Sequence, residues 1–226
     1  MQVITSSPLF GLFLTFITYG IGTLLFKKFR TPLLNPLLFS FVCCIALIKL
    51  GVISYEKYMT DTKILADFIP VATALLAVNI YRQRKIIKKY GLAIAAGCFA
   101  GAVTSIVLVA AVCALFGADS TLIASFIGKS CTNPIAVEIC QLNGGITGIT
   151  VIAVLVTGIV GAVLAPTLRK LFRVKSPVAE GVAIGTCSHV VGTTKAVEIG
   201  EVQGALSSVA IGICGIMTVV LLAIFY

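Results

Sequence analysis

Two short polar stretches interrupt an otherwise apolar chain, and they hold most of the side chains able to do chemistry. The first is Gly128-Lys129-Ser130-Cys131-Thr132-Asn133-Pro134, the second Ser188-His189-Val190-Val191-Gly192-Thr193-Thr194-Lys195. Pro134 breaks a helix, and Asn133 with Pro134 reads as the cap and first residue of a new one. In the second stretch, Thr193 or Thr194 reads as the cap of the half-helix that carries Glu198. Helix N-termini present free N–H groups and favour anions. Lys129 and Lys195 stand beside these termini with full positive charges, and Ser130, Thr132, Ser188, Thr193 and Thr194 add hydroxyl donors. Gly192 belongs to the same candidate site. The set suits a small carboxylate, one with a neighbouring hydroxyl or keto group.

Plainer readings stand beside these. The lysines can snorkel to an interface, but an ionisable residue in a membrane segment costs about 2.5–3.5 kcal/mol on insertion, so function is the default reading. Glu138 and Glu198 lie five residues beyond the expected caps. Three roles stay open for them: pairing with the lysines, relaying protons, or capping contacts between half-helices. His189 is the only histidine, fit either for titration near neutral pH or for a satisfied structural role. Glu201 reads as interfacial, and Asp67, Asp119 and Glu180 as ordinary helix-end residues. Gly97, Gly101, Gly158 and Gly161 read as sites of close helix packing.

The elements that position these residues follow from composition. Of 226 residues, 59% are apolar and 11% charged, with a mean hydropathy of +1.12, whereas a soluble domain carries roughly a quarter charged residues. The apolar residues form runs near the 20 or so needed to span hydrocarbon, without the alternation of barrel strands. The net charge of +9 sits in the loops, a topology signal rather than a nucleic-acid surface. The eight cysteines mostly lie inside apolar runs with no C-x-x-C pair, and read as small packing residues. No metal site, cofactor or enzyme motif is expected, and the first run lacks the marks of a cleaved signal.

Crossings are expected at about Pro8–Phe26, Leu33–Ile53, Phe68–Tyr81 and Gly91–Phe116, with a mixed-charge loop after the second. Basic residues at Lys27, Lys28 and Arg30, and again from Arg82 to Lys89, place those connections in the cytoplasm and the N-terminus outside. Ile146–Leu168 ends in Arg169, Lys170, Arg173 and Lys175, which lie inside only if Ser120–Gly145 turns back. Pro177–Gly200 has the same shape, and a last crossing runs from Val202 to Phe225. Ala136-Val137-Glu138-Ile139 recurs sixty residues later as Ala196-Val197-Glu198-Ile199, and at that shift Lys129 falls on His189. A hairpin plus one crossing, repeated, gives two copies inverted in the membrane, a plan common in secondary transporters. The expected fold is therefore an all-α integral membrane protein of about six full transmembrane helices plus two discontinuous or re-entrant segments. Residues 1–118 would form a four-helix part, and 119–226 a core with broken segments at 119–145 and 177–200.

Thr31-Pro32-Leu33-Leu34-Asn35-Pro36-Leu37-Leu38, Lys129 through Ala136, Gly185 through Thr193 and Gly204-Ala205-Leu206-Ser207-Ser208 resemble the LrgB/CidB family, in order and over nearly the whole chain. Gly128 stands where that family commonly has proline, Asn133 where it has threonine, and Thr194-Lys195 where it has alanine-arginine. The positive charge is kept, but a bidentate fork becomes a point charge. The resemblance implies two functions. One is a holin- or antiholin-like component that modulates murein hydrolase activity and autolysis with an LrgA/CidA-type partner. The other is transport of small monocarboxylates, since a plastid relative is a glycolate/glycerate translocator and bacterial systems are linked to pyruvate uptake. With the polar breaks, the expectation is a secondary transporter of glycolate, glycerate, lactate or pyruvate. It would lie in a bacterial inner membrane, form a homo-oligomer, and bind the anion between the broken helices through Lys129 and Lys195. The antiholin-like role is the alternative.

Overall fold

The computed structural model describes residues 7–29 and 34–225. Arg30 and the Thr31-Pro32-Leu33 start of the family-like motif lie outside the described residues. Every regular element described is helical, and two compact units divide the chain at Val71/Ala72.

In the first unit, α1 spans Phe10–Phe29 and α2 Pro36–Lys49. Asn35 starts α2, its side chain accepting from the Leu37 N–H at 2.9 Å. The mixed-charge loop folds into two short helices, α3 (Tyr55–Asp61) and α4 (Lys63–Asp67). Burial of Asp61 against α1 orders it: the carboxylate accepts from the Gly11 N–H at 2.9 Å and from Lys57 Nζ at 3.0 Å. Thr15 and Tyr58 hydroxyls meet at 2.9 Å, and Thr18 and Ser40 at 2.7 Å. Thr15, Ser40 and Tyr58, with Lys49 and apolar residues, line a cavity of about 810 Å3.

A short helix, α5 (Ile69–Arg82), carries the boundary between the units. In the second unit α6 runs over Arg84–Leu115, with Tyr90 non-helical (φ −122°, ψ 15°) between the basic start and the apolar body. Then come α7 (Ser120–Ile127), α8 (Asn133–Leu142), α9 (Thr147–Leu171), α10 (Pro177–Ile199) and α11 (Glu201–Phe225). Among the described residues four helices, α1, α6, α9 and α11, are long and apolar enough to cross a membrane. At 14 residues each, α2 and α5 are shorter than the expected crossings and rise only about 21 Å.

Both interrupted segments double back on themselves. With 8 and 10 residues, α7 and α8 are too short to span. After α8 the chain returns to the start of the hairpin. The Ile146 N–H donates to Ser125 Oγ at 2.8 Å, and a Cβ on Gly145 would lie 2.9 Å from the Ala124 carbonyl carbon. That return is impossible for two collinear helices. Within α10, His189 takes φ +41°, ψ −134°, and the chain reverses there. Positions equally far from His189 on its two sides meet the same neighbours: Ser207 touches both Gly185 and Thr193. A Cβ on Gly192 would meet Ile184 Cγ2 at 3.1 Å, eight residues back, which a continuous helix forbids.

The chain order sets the sides from which the hairpins enter. The α7–α8 hairpin follows directly on the Leu115 end of α6, and α9 starts where it returns. The α10 hairpin follows the far end of α9. They approach from opposite ends of the unit. One cluster of buried residues (Ile94, Cys98, Ala102, Val182, Leu206, Val209, Ala210, Cys214) seats the α10 hairpin on α6 and α11. A second (Val109, Cys113, Ile127, Cys131, Ala136, Ile139, Val154, Leu222) seats the α7–α8 hairpin on α6, α9 and α11.

Candidate functional site

The two hairpin tips meet. His189 Nε2 lies 3.1 Å from the Lys129 carbonyl oxygen. A carbonyl only accepts, so Nε2 carries the hydrogen and donates it. His189 is 3% exposed, and its positive φ is one that side-chain-bearing residues adopt at a cost of about 1–3 kcal/mol. Beside it, Ser130 Oγ is 2.6 Å from Ser105 Oγ in the second half of α6, and Lys129 Nζ donates to Ser130 Oγ at 3.5 Å.

The turn of the first hairpin is built locally. Asp119 caps α7, its Oδ1 accepting from the Leu122 N–H at 2.8 Å. The Lys129 N–H closes on Phe126 O at 3.0 Å, and the Cys131 N–H on Gly128 O at 2.9 Å. The cap of α8 is Thr132, not Asn133: the Thr132 carbonyl accepts the first helical bond, from the Ala136 N–H at 2.9 Å, and Asn133 is the exposed first helical residue. Thr132 Oγ1 is buried without a hydrogen-bond partner.

In the second hairpin the break falls at His189, ahead of the expected caps Thr193 and Thr194. Both threonines bond back into the helix, Thr193 Oγ1 donating to His189 O at 2.8 Å and Thr194 Oγ1 to Val190 O at 3.2 Å. That is the helix-interior habit of threonine rather than capping. Thr193 also meets Ser207 Oγ at 2.6 Å. Four glycines hold this hairpin close: a Cβ would meet Val182 at Gly97, Thr186 at Gly101, Val191 at Gly158 and Ser188 at Gly161. Gly192 makes the same allowance inside the hairpin, against Ser188.

The structure thus brings together Lys129, Ser130, Ser188, His189 and Gly192. It does not bring Lys195 to them. Lys195 Nζ pairs with Glu198 Oε2 at 2.8 Å on the outward face of the returning arm, with Glu198 half-exposed. Asn133, Glu138 and Thr194 are exposed as well. Ser105 and Ser207 were missed, although a serine inside an apolar run was a readable signal for each.

Cavities reach the tips from both ends. One of about 340 Å3, lined by Leu108, Val112, Phe116 and Phe126, ends at Lys129. From the opposite end, one of about 210 Å3 passes Arg169 and Glu180 and ends at Ser188. Another, of about 400 Å3, runs between α6 and α10 to Thr186 and Cys187. Glu180, read from the sequence as an ordinary helix-end residue, is buried: Gln203 Nε2 donates to its Oε2 at 3.1 Å, and Arg169 Nε lies 3.3 Å from its Oε1.

This arrangement has counterparts in sequence. Residues 15–226 match the LrgB-like family. The chain belongs to that family. It is 36% identical to the antiholin-like protein LrgB of Bacillus mycoides (strain KBAB4) over 222 residues, 98% of this chain and 96% of the relative. The same figures hold for the antiholin-like proteins LrgB of Bacillus cereus (strain B4264) and Bacillus anthracis (strain CDC 684 / NRRL 3495). No solved structure matches the chain. As an LrgB-like chain with several apolar helices, it is an integral membrane protein. The Lys129–Ala136 and Gly185–Thr193 motifs that carried the resemblance are the two hairpin tips.

Proposed function

We propose that the protein is an antiholin-like membrane component that works beside a small LrgA/CidA-type membrane partner and restrains murein hydrolase activity and autolysis. The near full-length identity to antiholin-like relatives supports this reading, placed second in the sequence analysis, over the transporter reading placed first. The test is genetic. In a host lacking its own family member, expression with the partner should slow the fall in culture density after a lysis trigger. It should also weaken hydrolase bands on a murein gel. Unchanged lysis, with both proteins present in the membrane, refutes the role.

A second reading has its own observation, the tip-to-tip contact of His189 with Lys129 between cavities from opposite ends. In it the protein is a secondary transporter of small monocarboxylates that binds its substrate where the hairpins meet. Lys129 supplies the charge, and Ser130, Ser188 and the α8 N-terminus supply hydrogen-bond donors. Each hairpin-plus-helix, α7–α9 and α10–α11, is one copy of an inverted repeat. Supporting this, Lys129 and His189, equivalent at the sixty-residue shift, touch each other. The Ser125–Ile146 contact has a counterpart one residue further along, Gly185 against Ser207. Crossings by α1, α2, α5, α6, α9 and α11 then make six, with the N-terminus outside and the membrane the bacterial inner one. Saturable uptake of a labelled 2-hydroxy or 2-keto acid by proteoliposomes is the expected result. Unsaturable leakage of an unrelated dye counts against transport.

A further inference from the structure

One end of the second unit is strongly basic. Arg82, Arg84, Lys85, Lys88 and Lys89 put five cations into eight consecutive positions where α5 meets α6, and all five are exposed. Among the described residues none of them has an ion-pair partner. Arg84 instead lies 4.8 Å over the Tyr81 ring, and Lys89 5.0 Å over the Tyr90 ring. The apolar members of the same stretch, Ile86, Ile87 and Tyr90, pack on the buried cluster shared by α6, α10 and α11, which fixes where the cations stand. Val178 packs on that cluster too. It brings the start of α10 to this end, with the exposed Lys170, Arg173 and Lys175 just before it. The carboxylates there are fewer: Glu180 faces Arg169, Glu198 pairs with Lys195, and Glu201 opens α11.

A cavity starts at this basic end. About 400 Å3 in volume, it lies between α6 and α10, with Ala93 and Ser176 at the charged end and Thr186 and Cys187 at the inner one. Between them its walls are apolar, among them Gly97, Val178 and Val182. From Ala93 to Gly101 is about 12 Å along a helix, which stays within one leaflet of a hydrocarbon core about 30 Å thick. Ala93, Ala183 and Cys187 are exposed along it, so it opens on the flank of the helices, where an integral membrane protein meets lipid. Exposed cations at one end and an apolar slot beyond them call for a ligand with a negative head and an apolar tail. An acidic protein segment answers the cations and leaves the slot empty; a zwitterionic lipid fills the slot and leaves the cations unmatched. We propose that an anionic phospholipid of the surrounding leaflet is held here, its phosphate near Lys88, Lys89 and Lys175 and one acyl chain in the cavity between α6 and α10. Each cation close to an anionic lipid surface adds about fivefold to binding. The tail ends beside Thr186 and Cys187, so the bound lipid braces the entering arm of the α10 hairpin against α6 just short of His189. Such a site is compatible with either function.

The experiment uses the full chain in non-ionic detergent micelles, with radiolabelled dioleoyl phosphatidylglycerol as the probe and dioleoyl phosphatidylcholine as the comparison. Phosphatidylglycerol should bind in preference, and the preference should shrink as salt rises. Lys88→Gln combined with Lys89→Gln should weaken it about 30-fold, at about fivefold per cation. Lys88→Arg with Lys89→Arg should keep it, and Lys63→Gln, an exposed lysine of the first unit, should change nothing. Ala183→Phe fills the cavity from its exposed edge and leaves every cation in place. It should weaken phosphatidylglycerol binding by about fivefold or more, the effect of overpacking an occupied space. Ala93→Leu plugs the slot from the opposite wall and should act in the same direction, so a folding defect in one variant does not leave the test open. Phosphatidylcholine bound as tightly as phosphatidylglycerol, or an equal loss from Lys63→Gln, overturns the proposal. Full affinity in both plugged variants reduces the site to surface charge and overturns the acyl-chain slot. Displacement of the lipid by poly-glutamate, through the same lysines, assigns the patch to an acidic protein segment instead.

Discussion

Replacing His189 separates the two things the residue does at the hairpin tip. His189→Ala removes the 3.1 Å bond to the Lys129 carbonyl but keeps a Cβ at φ +41°. The carbonyl left behind is part-buried at the tip. Intramembrane polar contacts average about 0.6 kcal/mol in measured cycles, and an unsatisfied buried group costs about 1–3 kcal/mol. His189→Ala should therefore destabilise by about 0.6–3 kcal/mol. His189→Gly loses the same bond but relieves the left-handed backbone, which costs a side-chain-bearing residue about 1–2 kcal/mol. The glycine variant should thus be the more stable of the two by about 1 kcal/mol, reversing the usual helix ranking in which glycine is worse than alanine by about that amount. Reversible unfolding in mixed detergent micelles measures both. An alanine variant more stable than the glycine variant refutes the reversal at His189. An alanine variant as stable as the wild type refutes the claim that the tip contact matters.

Three further outcomes follow from other contacts. Gly161→Ala places a methyl against Ser188 and should cost about 1–3 kcal/mol, the usual price of overpacking; adding Ser188→Gly should recover most of it in the same unfolding measurement. In Asp61, burial raises the carboxyl pKa, but the Gly11 N–H and Lys57 outweigh it, so the folded value lies below the ordinary one. Its contribution is therefore present above the unfolded-state pKa and is lost as pH falls through the folded one. Thermal unfolding against pH should show that acid loss, and Asp61→Asn should lack it. Finally, with native cysteines replaced, a cysteine at Lys175 should react with an impermeant reagent from the cytoplasmic side and one at Gly144 from the opposite side. Labelling of both from one side sinks the opposed hairpins.

Much of this was legible because polarity inside an apolar run is a strong signal. The two breaks, the close-packing glycines and the span ends at α6 and α11 follow from residue type and spacing alone. What failed depends on atoms that sequence does not locate. At Thr193 capping was misassigned because threonine satisfies backbone carbonyls inside a helix as readily as amides at its start; at Asn133 the cap falls one residue earlier, on Thr132. The reversal at His189 carries no glycine or proline to announce it; tertiary contacts with Gly158, Gly161 and Ser207 hold it there. The Lys195 charge read as part of the site, but its rotamer found Glu198 one turn away. The mixed-charge loop is ordered where Asp61 meets the Gly11 N–H of α1, fifty residues earlier in the chain.

The opposed cavities place a constraint on any function the molecule performs. Between the space ending at Lys129 and the space ending at Ser188 stand the tip residues themselves, joined by the His189–Lys129 bond and steadied by Ser105–Ser130. A solute crosses only if a hairpin moves, and each hairpin moves against a different cluster of buried residues. The α10 hairpin packs closely on α6 and α9 through glycines, and on α11 through the Thr193–Ser207 contact. The α7–α8 hairpin is held to α9 where the Ile146 N–H donates to Ser125 Oγ and Thr150 Oγ1 donates to Ser125 O. A cross-link between Gly161 and Ser188, introduced as a cysteine pair, should stop lysis control if that control needs the movement, and should stop uptake if transport does. Activity that survives a complete cross-link would show that the tips need not part.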